Sequence, residues 1–275
     1  MRIRRIGATV AGDVMKRLLC CLLVFCVVGR GSVHGAPFDP THARWGRVLS
    51  RFVQEGAVDY AGLAASPKEL AEYLQEMGSI PESGFEALPR EAQIAFLINL
   101  YNAATLKLIV DHHPVASIKK VGGWFKSPWD LECVPLFGRT VTLNRIEHQM
   151  LRPRFQEPRV HFALVCAARG CPPLRDEPYV AARLDAQLSD QARRFLAQPE
   201  KNRFDATTRT LTLSPIFKWY AVDFPAAPDG LTRFLSPFLP KEQAAGIASG
   251  GITIEYSVYD WSLNSRPTPA TPHGR

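Results

Sequence analysis

The sequence predicts an α+β fold: a single domain with a central buried helix, several surrounding helices and a small, mostly antiparallel sheet. Three observations lead there. Residues 90–110 place Ile94, Leu97, Ile98, Tyr101, Thr105 and Leu108 at helical spacing, and Ala95, Phe96, Leu100 and Ala103 widen the stripe nearly all round. That is the pattern of a helix enclosed by others. Short alternating segments face each other across tight turns, with few long crossovers. The 275 residues are 46% hydrophobic and 21% charged, which is enough apolar material for one sizeable core.

Each element has its own signal. The first 35 residues read as a secretory signal peptide. Arg2, Arg4, Arg5, Lys16 and Arg17 form a basic leader, residues 18–28 an apolar run, and Val33-His34-Gly35 a plausible cut before Ala36. The run is too short to span a bilayer, so no stable membrane insertion is expected after cleavage. A single globular domain over 36–265 follows. Residues 45–53 predict a helix with Trp45, Val48, Leu49 and Phe52 on one face, and residues 68–77 a second one behind Pro67. Residues 133–136 and 139–143 flank Phe137-Gly138 as a hairpin. A helix is expected over 144–151 and a buried strand over 160–165. Residues 180–196 carry Leu184, Leu188, Ala192 and Phe195 at helical spacing. Residues 204–205 and 210–213 make a second hairpin, and Ser214 caps a short helix with Pro215 at its first position. Residues 231–235 and 242–247 read as helices and 252–256 as a last strand. The tail, 266–275, is rich in Pro and Thr and is expected to be disordered.

The leader also accounts for most of the charge. It holds six of the 33 basic and one of the 26 acidic residues, which leaves 27 and 25 in the rest. A net charge near +2 supplies no nucleic-acid footprint. Cys20, Cys21 and Cys26 leave with the leader, so Cys133, Cys166 and Cys171 remain. The protein is expected in the periplasm or outside the cell, where thiols pair readily.

Chemistry concentrates around residues 159–174. Cys166 and Cys171 close a short turn after an apolar run. They are a disulfide, a nucleophile with its neighbour, or inert thiols. His161 is the nearest base, but along an extended strand it would lie about 16 Å from Cys166, from roughly 3.3 Å per residue, and on the opposite face. Glu147-His148 offers another base with a carboxylate, although Asn144 followed by Glu147 also spells a capping box. Asn99 and Asn102, one turn apart on the central helix, either tie it to neighbouring backbone or contact a ligand. Arg159 and Arg169 beside the thiols are solvated, ion-paired or hold an anionic ligand group. Zinc held by His148, His161, Cys166 and Cys171 is a further alternative, but the spacing fits no defensible pattern, and no metal or cofactor is expected.

Several of these residues fall in longer motifs. Ala95-Phe-Leu-Ile-Asn-Leu-Tyr-Asn-Ala103, Ile146-Glu-His148, Arg159-Val-His-Phe-Ala-Leu-Val-Cys-Ala167, Cys171-Pro-Pro-Leu174, Leu213-Ser-Pro-Ile-Phe-Lys-Trp-Tyr220 with Asp223-Phe224, and Tyr259-Asp-Trp-Ser-Leu-Asn264 occur in that order. Together they resemble the Domain of Unknown Function 547 family, in its exported bacterial form. The resemblance implies no particular reaction. It implies that Asn99, Asn102, Glu147, His148, His161, Cys166 and Cys171 lie in family motifs, and it departs from the usual pattern at Ala168.

Two readings of function follow. One is a thiol-dependent hydrolase or acyltransferase acting on an amide or thioester, with Cys166 or Cys171 as nucleophile and His148 or His161 as base. Glu147 would orient the base, and Asn99, Asn102, Arg159 and Arg169 would bind ligand. The other is a non-catalytic secreted module braced by a Cys166–Cys171 disulfide. Either way the expected partner is a small-molecule or peptide ligand.

Overall fold

The computed structural model describes residues 38–123 and 126–266. The expected signal peptide and residues 267–275 of the expected tail lie outside that range. Arg266, read as the start of the tail, donates its backbone N–H to Val58 O at 2.8 Å.

The central helix runs Arg90–Asp111, and 18 of its side chains are buried. It is long and apolar enough to cross a membrane, yet 94% of its most apolar window is enclosed by the fold. Core packing therefore accounts for its composition. The helices Tyr60–Ala65 and Lys68–Ser79 pack on it, and Ala43–Phe52 packs on Lys68–Ser79, with Trp45 stacked on Tyr73. Asp59 caps Tyr60–Ala65 by accepting from Gly62 N–H at 2.8 Å.

Among the described residues the β structure is three small sheets rather than one. Val53–Gln54 pairs with Ala57–Val58, and Glu132–Leu136 pairs with Arg139–Thr142, both antiparallel. The turn of the second hairpin has positive φ at Phe137 and Gly138, which a two-residue turn of this hand requires and glycine supplies without strain. Arg203–Asp205 and Thr210–Leu213 pair antiparallel, and Thr253–Tyr256 joins them parallel to Thr210–Leu213.

Residues 160–165 depart from the expected strand. Val160–Ala163 is a single helical turn, and only from Leu164 does the chain extend. The reason is local. Pro158 presets the backbone, Glu157 accepts from Arg159 N–H at 3.1 Å, and His161 N–H and Phe162 N–H close onto Pro158 O and Arg159 O. A short apolar run carries no period that tells strand from buried helix. The turn lies between two hydrophobic clusters. Val160, Ala163, Leu164 and Val165 face the one around the central helix, and Phe162 faces the other, formed by Phe195, Leu213, Phe217, Phe224 and Leu235 among others.

The helix expected over 144–151 is wound as a π-helix, Arg145–Leu151, continuing into Arg152–Phe155. The capping box does not form. Asn144 makes no side-chain cap and instead donates to Asp130 Oδ1 at 2.6 Å, while Thr142 Oγ1 accepts from Arg145 N–H.

Candidate functional site

Between the two clusters lies a cleft of about 220 Å³. Glu147, His148, His161, Cys166 and Cys171 all line it, together with Tyr101, Trp129, Trp219, Tyr220, Tyr259 and Trp261. One helical turn explains how His161 and Cys166 share it. A turn advances about 1.5 Å per residue where a strand advances about 3.3 Å, and it removes the alternation that set the two side chains on opposite faces. The π-helix does the same for Glu147 and His148. Its i→i+5 turns hold more residues than α turns, so neighbours diverge less and both reach the cleft.

His161 is buried. It donates from Nε2 to Asp223 Oδ2 at 2.6 Å, and its ring stacks on Tyr220 with centroids 4.0 Å apart. Asp223 Oδ2 also accepts from Arg152 Nε at 2.5 Å. Burial lowers the His161 pKa more than the Asp223 hydrogen bond and the nearby carboxylates raise it. The ring is therefore held below its ordinary value, with Nδ1 as its basic nitrogen. Burial acts to raise the Asp223 carboxyl, but the hydrogen bonds from Arg152 and His161 outweigh it and keep it below the usual range. His148 is exposed and accepts from Arg152 at 2.6 Å through Nδ1.

Glu147 is buried, and its Oε2 accepts from Tyr101 Oη at 3.1 Å. Burial, then the Glu147 charge, pushes the Tyr101 and Tyr220 hydroxyls well above their usual pKa. Glu147 makes no hydrogen bond to either histidine among the described residues, so the carboxylate that orients His161 is Asp223.

Cys166 and Cys171 form a disulfide, with Cα atoms 6.2 Å apart. Tyr259 Oη lies 3.1 Å from Cys166 Sγ and donates to Cys171 Sγ at 3.2 Å, and Cys166 N–H points at Cys171 Sγ from 2.8 Å. Cys166 is partly exposed to the cleft, whereas Cys171 is buried. The loop between them is stitched to the chain's last described segment. Arg169 N–H binds Ser262 O, Gly170 N–H binds Asp260 O, and Asn264 N–H binds Ala167 O. Ala167 holds φ at 57°, a left-handed conformation costly for a residue with a Cβ. Cys133, the third cysteine, lies on Glu132–Leu136 and does not line the cleft; burial raises its thiol pKa.

The other expected ligand contacts have structural partners. Asn99 brackets Tyr179, donating to its O at 2.7 Å and accepting from its N–H at 3.0 Å. Asn102 does the same for the 163–165 segment, donating to Ala163 O at 2.9 Å and accepting from Val165 N–H at 3.0 Å. Neither lines the cleft. Arg159 is paired with Glu157 and Asp185, and Arg169 is exposed on the far side of the disulfide loop. The zinc alternative loses its ligand set. Two of the four groups are bonded to each other, and among the described residues no three His, Cys, Asp or Glu side chains are arranged to hold a metal ion.

Arg152, expected from the sequence only as one of several arginines bracketing the thiols, completes the site with Tyr220, Asp223, Tyr259 and Trp261, which were not singled out as site residues. The last four sit in the quoted C-terminal motifs, which was their one signal.

The fold and site thus define an α+β domain whose aromatic-walled cleft carries a disulfide and a His–Asp pair. Residues 85–196 match the family model described as "Protein of unknown function, DUF547", which assigns that segment of the chain to the family. The match includes Glu147, His148, His161, Cys166 and Cys171 and stops before Tyr220, Asp223, Tyr259 and Trp261. No curated protein and no solved structure matches the chain.

Proposed function

We propose that the cleft carries out thiol-dependent acyl transfer, as a hydrolase or acyltransferase acting on an amide or thioester. The observation that carries this reading is that Cys166 lines the same cleft as a buried His161 whose Nε2 is bound to Asp223. A nucleophilic thiol needs a base, and the base needs an orienting group. The chain is read as exported, and the bridge is the resting form. A dithiol reductant opens it with two electrons and leaves two thiols. Cys166 is the nucleophile because it is the more accessible sulfur. His161 Nδ1 takes the thiol proton, and the thiolate adds to the carbonyl carbon. The tetrahedral adduct collapses as His161 returns the proton to the leaving amine or thiol. Water or an acceptor amine then releases the acyl group from Cys166.

A second reading has a specific observation in its favour. The disulfide is closed, and Tyr259 and the adjoining segment brace it, as in a rigid binding module.

Mass spectrometry before and after reduction, followed by timed iodoacetamide labelling at neutral pH in a Cys133→Ser background, separates the two. The enzyme reading expects Cys166 to alkylate faster than free cysteine, and the reduced protein to cleave an acetyl thioester. If reduced Cys166 labels no faster than free cysteine and no thioester is cleaved, the binding module stands instead.

A further inference from the structure

The cleft contains one buried carboxylate to which no cation is bound among the described residues. Glu147 is 4% exposed, lines the cleft and makes no salt bridge among the described residues. Its hydrogen-bonding neighbours are phenolic, Tyr101 at 3.1 Å and Tyr220 beside it, while Arg152 and His161 feel its charge without donating to it. The cations nearby are committed elsewhere. Arg152 gives its Nε to Asp223 at 2.5 Å and an N–H to His148. His161 also donates to Asp223, and burial disfavours its charged form. Asp223 is thus the carboxylate that Arg152 holds, and Glu147 is left without an ion pair of its own. A buried carboxylate without a cation is unfavourable unless one is supplied.

The walls around it suit the same partner. Trp219 and Trp261 stack with centroids 5.8 Å apart, and Tyr259 packs against both at 4.8 Å and 4.6 Å. The negative faces of such rings attract cations, ammonium groups in particular. Trp261 already receives one, Lys119 Nζ, 4.1 Å from its centroid. A cleft of about 220 Å³ admits a compact head group and little more.

We propose that this cleft binds an ammonium group, held between the aromatic faces and the Glu147 carboxylate. The ligand class is an amide or thioester whose acyl part carries a free amine. The proposal deepens the acyl-transfer reading by naming its substrate class, and it rests on the cleft being a ligand site but not on the thiols reacting.

The test uses the oxidised, full-length protein, in which no thiol is available. Choline and its uncharged isostere 3,3-dimethylbutan-1-ol are titrated against tryptophan fluorescence and by calorimetry. Choline should bind saturably, at least about tenfold more tightly than the alcohol. Glu147→Gln should abolish that preference. Trp219→Ala, at a residue 48% exposed, should weaken choline several-fold while the far-ultraviolet circular dichroism stays that of the parent. Equal binding of choline and alcohol, or no saturable choline binding, overturns the proposal. Choline selectivity in a protein whose reduced thiols are unreactive would sink the acyl-transfer reading and leave this one standing.

Discussion

His161 and Asp223 are separated by 62 residues in the chain and by 2.6 Å in space. The contact spans the two hydrophobic clusters. His161 rides on the Val160–Ala163 turn, and Asp223 ends the short 3₁₀ turn Ala221–Asp223. Arg152 holds the same carboxylate oxygen from a third element, so the imidazole is positioned by a carboxylate that is itself positioned.

Asp223→Asn therefore acts on the base. It removes the hydrogen bond and charge that raise the His161 pKa and leaves the burial that lowers it. The imidazole should titrate lower than in the parent by NMR, and acyl transfer should fall by roughly 10² or more. A His161 pKa that stays put or rises would remove Asp223 from this role.

Asn102→Ala tests the clamp on the segment leading to Cys166. The substitution orphans Ala163 O and Val165 N–H, both buried. Leaving two such groups unsatisfied costs roughly 2–4 kcal/mol, to be read as a lower urea midpoint at unchanged slope. A loss below about 1 kcal/mol would mean that water takes over both bonds.

Gly170→Ala tests the seat of Tyr259. A Cβ there would meet the Tyr259 ring at 2.9 Å and Asp260 N at 3.0 Å. The ring must move off the sulfurs, at a cost of about 1–3 kcal/mol. Near-ultraviolet circular dichroism should change along with the melting temperature. An unchanged aromatic spectrum would show that the loop, not the tyrosine, yields.

Acid should destabilise the fold through His42, far from the cleft. Burial lowers its pKa to about 4, and Nδ1 lies 2.8 Å from Tyr73 Oη. The unfolded chain binds that proton more readily. The stabilisation is complete above about pH 6.5 and is lost as pH falls toward 4, in total roughly 3 kcal/mol. His161 acts in the same direction. His42→Asn suits the left-handed backbone at this position, φ 51°, and should lose less stability between pH 7 and 4.5 in urea titrations. An identical loss in parent and variant would exclude His42 as the source.

The sequence made the helical framework legible where periodicity was long. The central helix, expected over 90–110, runs Arg90–Asp111, and both hairpins sit where their turns place them. Asn99 and Asn102 were legible as groups that need partners, and the structure shows those partners to be backbone. Two local misreadings obscured the cleft. Five apolar residues and one histidine at 160–165 look the same as strand or as turn plus strand, and Asn144–Glu147 has capping-box spacing without forming the box. The joint role of Asp223 and Arg152 was hidden for a different reason. Their importance lies in a three-way contact among distant segments, and no short window contains it.

The seam between the disulfide loop and residues 260–264 has a consequence for how the protein comes into being. Tyr259 and Trp261 form one wall of the cleft, and Asn264 reaches back to accept from Tyr60 Oη at 2.8 Å and to bind Val58 N–H through its carbonyl. Synthesis runs from the amino terminus, so both cysteines emerge some ninety residues before that wall exists. Until it arrives the loop has no strand to pair with and the sulfurs have no tyrosine above them. The wall over the disulfide is thus completed only after both cysteines have long been made.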